Sequence, residues 1–183
     1  MVSSEKQILS KVLSKAECCV VTGEQEESGA VFVCDFLAHC GESLSQSSVL
    51  PVRVDCDSWP DSLSIWKAIA KGVEENYPHV YEGNDVTESF FSIISETEDT
   101  DDVQSYLSLI LNEISENCGW RILLVMENFE SAIDRMEEFD IMKLRELAKS
   151  LTLMTVSRIP WVTLSIEKYK NPYFYNQFET FNV

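Results

Sequence analysis

Cys18-Cys19-Val20-Val21-Thr22-Gly23-Glu24-Gln25-Glu26-Glu27-Ser28-Gly29-Ala30 is the stretch that decides the fold of this chain. Its first five residues are short, β-favouring and largely apolar, and they stop at Gly23, as a buried strand does when it runs into a turn. From Ser28 the period changes, and Phe32, Phe36, Leu37, Cys40 and Leu44 recur at helical spacing to give one apolar face. The unit is strand, loop, helix.

The same alternation extends outward in both directions. Upstream, Ile8, Leu9, Val12 and Leu13 follow serine caps and predict a short amphipathic helix over Ser4 to Ala16. Downstream, Val49 to Asp55 reads as a second strand, with Pro51 near its start, where a missing amide donor is tolerated. A helix over Leu63 to Val73 follows, then a loop over Glu74 to Thr87 containing Pro78 and Gly83, with a short helical piece around Phe90, Phe91 and Ile94. The acidic run Glu96, Glu98, Asp99, Asp101, Asp102 leads into a strong helix carrying Val103, Leu107, Ile110, Leu111 and Ile114, where Asp101 and Asp102 complement the helix dipole. After Gly119, Arg121 to Glu127 is the most hydrophobic strand, and its unbroken apolar run fits a central parallel strand covered on both faces. Helices over Ala132 to Phe139 and Met142 to Leu151 come next, then a fourth strand at Leu153 to Val156 and a fifth at Phe178 to Val183. Such alternation implies right-handed crossovers and a parallel sheet in a three-layer α/β domain.

The 183 residues, 45% hydrophobic, suffice for one well-buried core, so residues 1–183 are expected to form a single domain. No apolar run reaches eighteen residues and the N-terminus lacks a secretory pattern, which predicts a soluble, cytoplasmic chain with no membrane partner. Six cysteines sit mainly in apolar segments and read as reduced; neither Cys18 with Cys19 nor Cys34 with Cys40 shares a face, so no metal site is expected. A formal charge of −17 argues against nucleic acid as a partner and favours a basic protein. His39 and His79 lie in no nucleophile motif, and His39 reads as a helix-surface residue. No catalytic residue is assigned.

The decisive stretch can be compared with the requirements of phosphate binding. A loop that cradles phosphates needs glycines for backbone approach, a lysine for charge and a Ser or Thr hydroxyl for magnesium, in the pattern G-x-x-x-x-G-K-[ST]. Here Gly23 keeps the first glycine, but Ser28 replaces the second, Gly29 the lysine and Ala30 the hydroxyl residue. Glu24, Glu26 and Glu27 add repulsion where a triphosphate would sit. The strand ending Met126-Glu127-Asn128-Phe129-Glu130 occupies the place where an acid for magnesium is followed by a glutamate that activates water. Glu127 is able to serve the first role; Asn128, an amide, is no general base.

Val20-Val21-Thr22-Gly23, Leu50 to Asp55 with Trp66, Leu123 to Glu130, Leu144 to Ala148, Val156 to Pro160 and Asn171 to Asn176 together resemble, in order and spacing, the ATPase domain of the AAA-like and STAND families of P-loop NTPases, particularly those of prokaryotes. The resemblance spans nearly the whole chain. It implies strand order 5-1-4-3-2, nucleotide at the C-terminal strand ends, and Ser157-Arg158 near the sensor position after the fourth strand. The family's winged-helix lid is missing from these residues, as in a domain excised from a longer protein. Gly23, Ser28, Gly29, Ala30, Glu127, Asn128, Ser157 and Arg158 thus outline a vestigial nucleotide site, expected to hold no cofactor. The resulting expectation is a pseudo-ATPase that regulates or scaffolds through protein–protein interaction in a signalling or defence system. Two alternatives stand beside it: a divergent ATPase or nucleotide switch using ATP and magnesium, and an acidic inhibitor of a basic protein. The aromatic groups Trp59, Trp66, Tyr77, Tyr81 and Tyr169, Tyr173, Phe174, Tyr175, Phe178, Phe181 read as packing or as docking surfaces.

Overall fold

The computed structural model describes residues 3–14, 18–22, 28–76, 85–148, 150–159 and 178–182. Five strands, β1 (Cys18–Thr22), β2 (Val49–Asp55), β3 (Arg121–Glu127), β4 (Leu151–Ser157) and β5 (Phe178–Asn182), form one sheet in the order β2-β3-β4-β1-β5, with every pairing parallel. The placement of β3 and β4 between β2 and β1 is the expected crossover order. Helices α1 (Ser3–Leu13), α2 (Ser28–Gln46), α3 (Ser62–Asn76), α4 (Asp85–Glu96), α5 (Thr100–Glu116), α6 (Phe129–Arg135) and α7 (Glu138–Leu147) flank it.

Two separate hydrophobic clusters show why the layers form. Ile122, Leu124 and Met126 of β3 point into a core shared with Trp66, Ile69, Leu107, Ile110 and Phe129 from α3, α5 and α6. Leu123 and Val125, one residue out of phase, point into the other core with Ile8, Val12, Phe36, Cys40 and Leu44 from α1 and α2. The period of two along a strand divides the apolar run of β3 between them, so all of Ile122 to Glu127 is buried. Arg53 and Asp55 on β2 and Glu127 on β3 fall in the phase that faces α2.

Polar residues join the layers at defined points. Asp140 is buried, accepts from Ser62 Oγ and Gln104 Nε2, both at 2.7 Å, and accepts from the Glu137 amide at 3.0 Å, tying α3, α5 and α7 together. Arg121, at the start of β3, donates to the Val12 carbonyl at 2.6 Å, where a cation suits the C-terminal end of α1. His39 Nδ1 and the buried Glu5 carboxylate lie 3.1 Å apart, linking α2 to α1 while the His39 ring stays about half exposed.

Several expected boundaries are corrected. Helix α3 runs on to Asn76 and α4 is a full twelve-residue helix rather than a short piece, so residues 77–84, outside the described set, are all that remains of the expected loop. The helix expected over Ala132 to Phe139 ends at Arg135, and Phe139 belongs to α7. The break is a capping box in which Glu137 and Asp140 satisfy each other's backbone amides. Leu151, expected as the end of a helix, begins β4, because a turn closed by Ser150 N to Leu147 O at 2.8 Å ends α7. At α5 the cap is Asp99, whose carboxylate accepts from the Asp101 and Asp102 amides at 2.9 and 3.2 Å. Among the described residues no helix is long and apolar enough to cross a membrane.

Candidate nucleotide site

The C-terminal ends of β1, β4, β3 and β2 form one rim of the sheet. Gly23 lies outside the described residues, as do Glu24 to Glu27, so the site is read from the elements on either side. Thr22 ends β1 beside Ser157 of β4, its direct register partner. The Thr22 hydroxyl is buried and has no hydrogen-bond partner among the described residues.

Helix α2 starts at Ser28, and its second residue, Gly29, comes close to β4. A Cβ built on Gly29 would lie 2.5 Å from Val156 Cγ1. Carbon atoms in comfortable contact stand about 3.5–4.0 Å apart, and the valine side chain is buried and stiff about χ1. Gly29, the position set against a phosphate-binding lysine in the sequence reading, therefore cannot carry a Cβ without a shift of Val156 or of α2. Ala30 is exposed in the same first turn.

On the neighbouring strands the acid of the site is already paired. The Glu127 side chain is 6% exposed, and both its oxygens accept from the Arg53 guanidinium: Oε1 from Nε in a short contact, Oε2 from Nη2 at 3.0 Å. The hydrogen bond to Glu127 outweighs the desolvation of Arg53 and holds the guanidinium more firmly charged than usual. Arg53 Nη1 also reaches Cys34 Sγ of α2 at 3.4 Å.

Asn128 follows in a left-handed conformation, φ 50°, which asparagine tolerates better than most residues. Its Nδ2 donates to Asp55 Oδ1 at 2.8 Å, so the amide is a strut between β3 and β2. Desolvation disfavours the Asp55 carboxylate, but hydrogen bonds from Asn128, Ser58 and the Asp57 amide together outweigh it and hold its pKa below the ordinary value. Ser131 Oγ donates to Asp57, and Arg135 donates to the Cys56 carbonyl, closing α6 over the 3-10 turn Cys56–Ser58.

Ser157 and Arg158 are likewise engaged. The Ser157 hydroxyl donates to the Ile159 carbonyl at 2.9 Å and accepts from the Ile159 amide at 3.2 Å. Arg158 Nε donates to Glu130 Oε1 at 2.6 Å. Glu130 is buried, and its second oxygen has no hydrogen-bond partner among the described residues. Magnesium does not fit the residues at Glu127 as they stand, because both oxygens already face the Arg53 guanidinium, whose charge opposes a second cation. Among the described residues no group of three or more His, Cys, Asp or Glu side chains is arranged to hold a metal.

Solved structures share this architecture. An Aeropyrum pernix ORC2 protein in its ADPNP–ADP complexes superposes with a TM-score of 0.69 at 12% identity, covering 99% of this chain and 46% of that one. The fold is AAA-like. The ADP form of the same protein gives 0.64 at 12% identity over 98% of this chain and 45% of that one. Drosophila ORC bound to DNA gives 0.62 at 10% identity over 97% and 40%. At such identities the likeness is one of fold, and the chain spans less than half the length of these proteins. No family model matches the sequence, nor does any curated protein.

One expectation is overturned by these matches. The exclusion of nucleic acid as a partner rested on the charge of −17, yet structures with this AAA-like fold include Drosophila ORC bound to DNA. Net charge averages over a whole surface and does not describe the one face that a ligand meets.

Relative to the sequence-derived set, the AAA-like rim brings Gly29, Glu127, Asn128, Ser157 and Arg158 to the same end of the sheet and adds Arg53, Asp55, Glu130 and Cys34. A sequence signal for Arg53 existed: it is the one cation in the strand Val49 to Asp55 and shares the alternating phase of Asp55. Of the aromatic groups, Trp66 is fully buried, as a packing residue, and Trp59 packs partly buried against the same core. Tyr77 and Tyr81 lie outside the described residues, as do Tyr169, Tyr173, Phe174 and Tyr175. Phe181 is buried in the core beneath α2.

Proposed function

We propose that this chain is a non-catalytic AAA-like domain, a pseudo-ATPase that acts through protein–protein interaction as a regulatory or scaffolding module, of the kind found in prokaryotic STAND-type signalling and defence systems. The observation that carries this reading is the state of the β3 terminus. Glu127 spends both oxygens on Arg53, and Asn128, at the general-base position, spends its amide on Asp55. Hydrolysis at such a rim would need a metal-binding acid and a proton acceptor, and neither role is served. The close approach of Gly29 to Val156 supports the same reading, since a lysine there would have to displace the β4 side chain.

The test is ATP turnover at high enzyme concentration by the wild-type chain and Glu127→Ala, alongside calorimetric titration with ATP and magnesium to millimolar nucleotide. Turnover indistinguishable from the buffer blank is expected of both proteins. Turnover by the wild type that disappears in Glu127→Ala would refute the proposal and establish a divergent ATPase. Because structures sharing the fold include ORC on DNA, a labelled duplex belongs in the same binding series.

A further inference from the structure

We propose that Arg53 is a built-in counter-cation that takes the place of a divalent metal on the β3 carboxylate, so that the site excludes metal as long as the guanidinium is present. The inference rests on reading Glu127 as the site's metal position, and it goes further by naming the residue that closes that position.

Three observations converge. The guanidinium fork serves both Glu127 oxygens at once, the planar geometry in which arginine, unlike lysine, matches a carboxylate. A magnesium ion must approach an oxygen to about 2.0–2.1 Å, which is where the Arg53 hydrogens lie, and its charge would be repelled by the guanidinium. Asp55 and Glu127 are direct register partners on adjacent strands, with Arg53 two residues before Asp55 on the same face. Removing Arg53 would leave the Glu127 carboxylate without its cation beside Asp55, whose oxygens stay engaged by Asn128, Ser58 and the Asp57 amide, so that Glu127 is the acid freed to take a hard divalent ion.

Arg53→Met, Glu127→Gln and the double variant, each in the full chain, are melted in EDTA and in millimolar MnCl2, with bound Mn2+ counted by electron paramagnetic resonance. The wild type is expected to melt at the same temperature in both media and to take up no more Mn2+ than Glu127→Gln. Arg53→Met is expected to melt roughly 5 °C lower in EDTA, by the scaling of stability to melting temperature for a chain of this size. Mn2+ should restore most of that loss in Arg53→Met and none in the double variant. The proposal is overturned if wild-type Mn2+ uptake falls on Glu127→Gln, or if Arg53→Met melts like wild type or ignores Mn2+. Should Arg53→Met fail to fold, the comparison of wild type with Glu127→Gln decides alone: equal uptake upholds the proposal and unequal uptake overturns it. The measurement contains no nucleotide, so ATP hydrolysis that survived Glu127→Ala would refute the pseudo-ATPase reading and leave this one standing.

Discussion

Replacing Gly29 by alanine tests the steric account of the lost lysine with the smallest possible side chain. The added methyl would sit 2.5 Å from Val156 Cγ1, about 1 Å inside comfortable carbon contact. Val156 is only 4% exposed and lies in the core formed by Val33, Phe36 and Val21, so it cannot swing aside without disturbing neighbours. Overpacking of this kind costs about 1–3 kcal/mol. Alanine is worth about 1 kcal/mol over glycine inside a helix, and less in the first turn, which leaves a net loss of about 1–2 kcal/mol. For a chain of this length that corresponds to a fall in melting temperature of about 3–6 °C. Thermal and urea unfolding of Gly29→Ala, Val156→Ala and the pair would measure it, and the double variant should recover part of the loss as a favourable coupling. A Gly29→Ala protein more stable than wild type, or a pair whose effects simply add, would refute the reasoning.

Asp140→Ala should be among the more damaging polar substitutions, losing about 3 kcal/mol in urea unfolding, because it deprives the buried Gln104 amide, the Ser62 hydroxyl and the Glu137 amide of their common acceptor. Asp140→Asn keeps one acceptor oxygen and should lose less. At the rim, the native Asp55 carboxyl is more acidic than in the unfolded chain, so its contribution is fully present above the ordinary aspartate value of about 3.9 and is lost as pH falls below it. Unfolding followed from pH 6 to about pH 2 should show a smaller acid-induced loss in Asp55→Asn than in wild type; identical slopes would contradict the assignment.

How far the sequence could be read depended on where its signals were local. The bounds of β2 and β3 coincide with expectation because each apolar run is closed by a charge, Asp55 or Glu127, next to a change of period. Two helices were expected here, but their division was placed too late, because Met136-Glu137 contains neither glycine nor proline and the box that makes it uses an uncommon glutamate cap. Leu151 was misplaced because Leu144, Leu147, Ala148 and Leu151 keep a helical spacing across Lys149 and Ser150 up to β4. At the rim, the missing lysine was legible as a letter, but the approach of Val156 that leaves it no space comes from a strand far along the chain. The partner of Glu127 was equally hidden: Arg53 is 74 residues away, and only strand pairing brings the two together.

The charges at the two ends of β3 have a consequence for assembly of the sheet. Arg121 at one end is held by the Val12 carbonyl and Glu127 at the other by Arg53, with five apolar residues between them. A slip of one residue against β2 would send Ile122, Leu124 and Met126 to the wrong layer and would drag both charges away from their partners. Stranding a buried carboxylate costs several kcal/mol, far more than a slipped ladder recovers. The pair therefore acts as an end stop that fixes the alignment of the central strands while the chain folds. An acid at the tip of this strand thus has a structural reason to be there, whatever chemistry the rim performs.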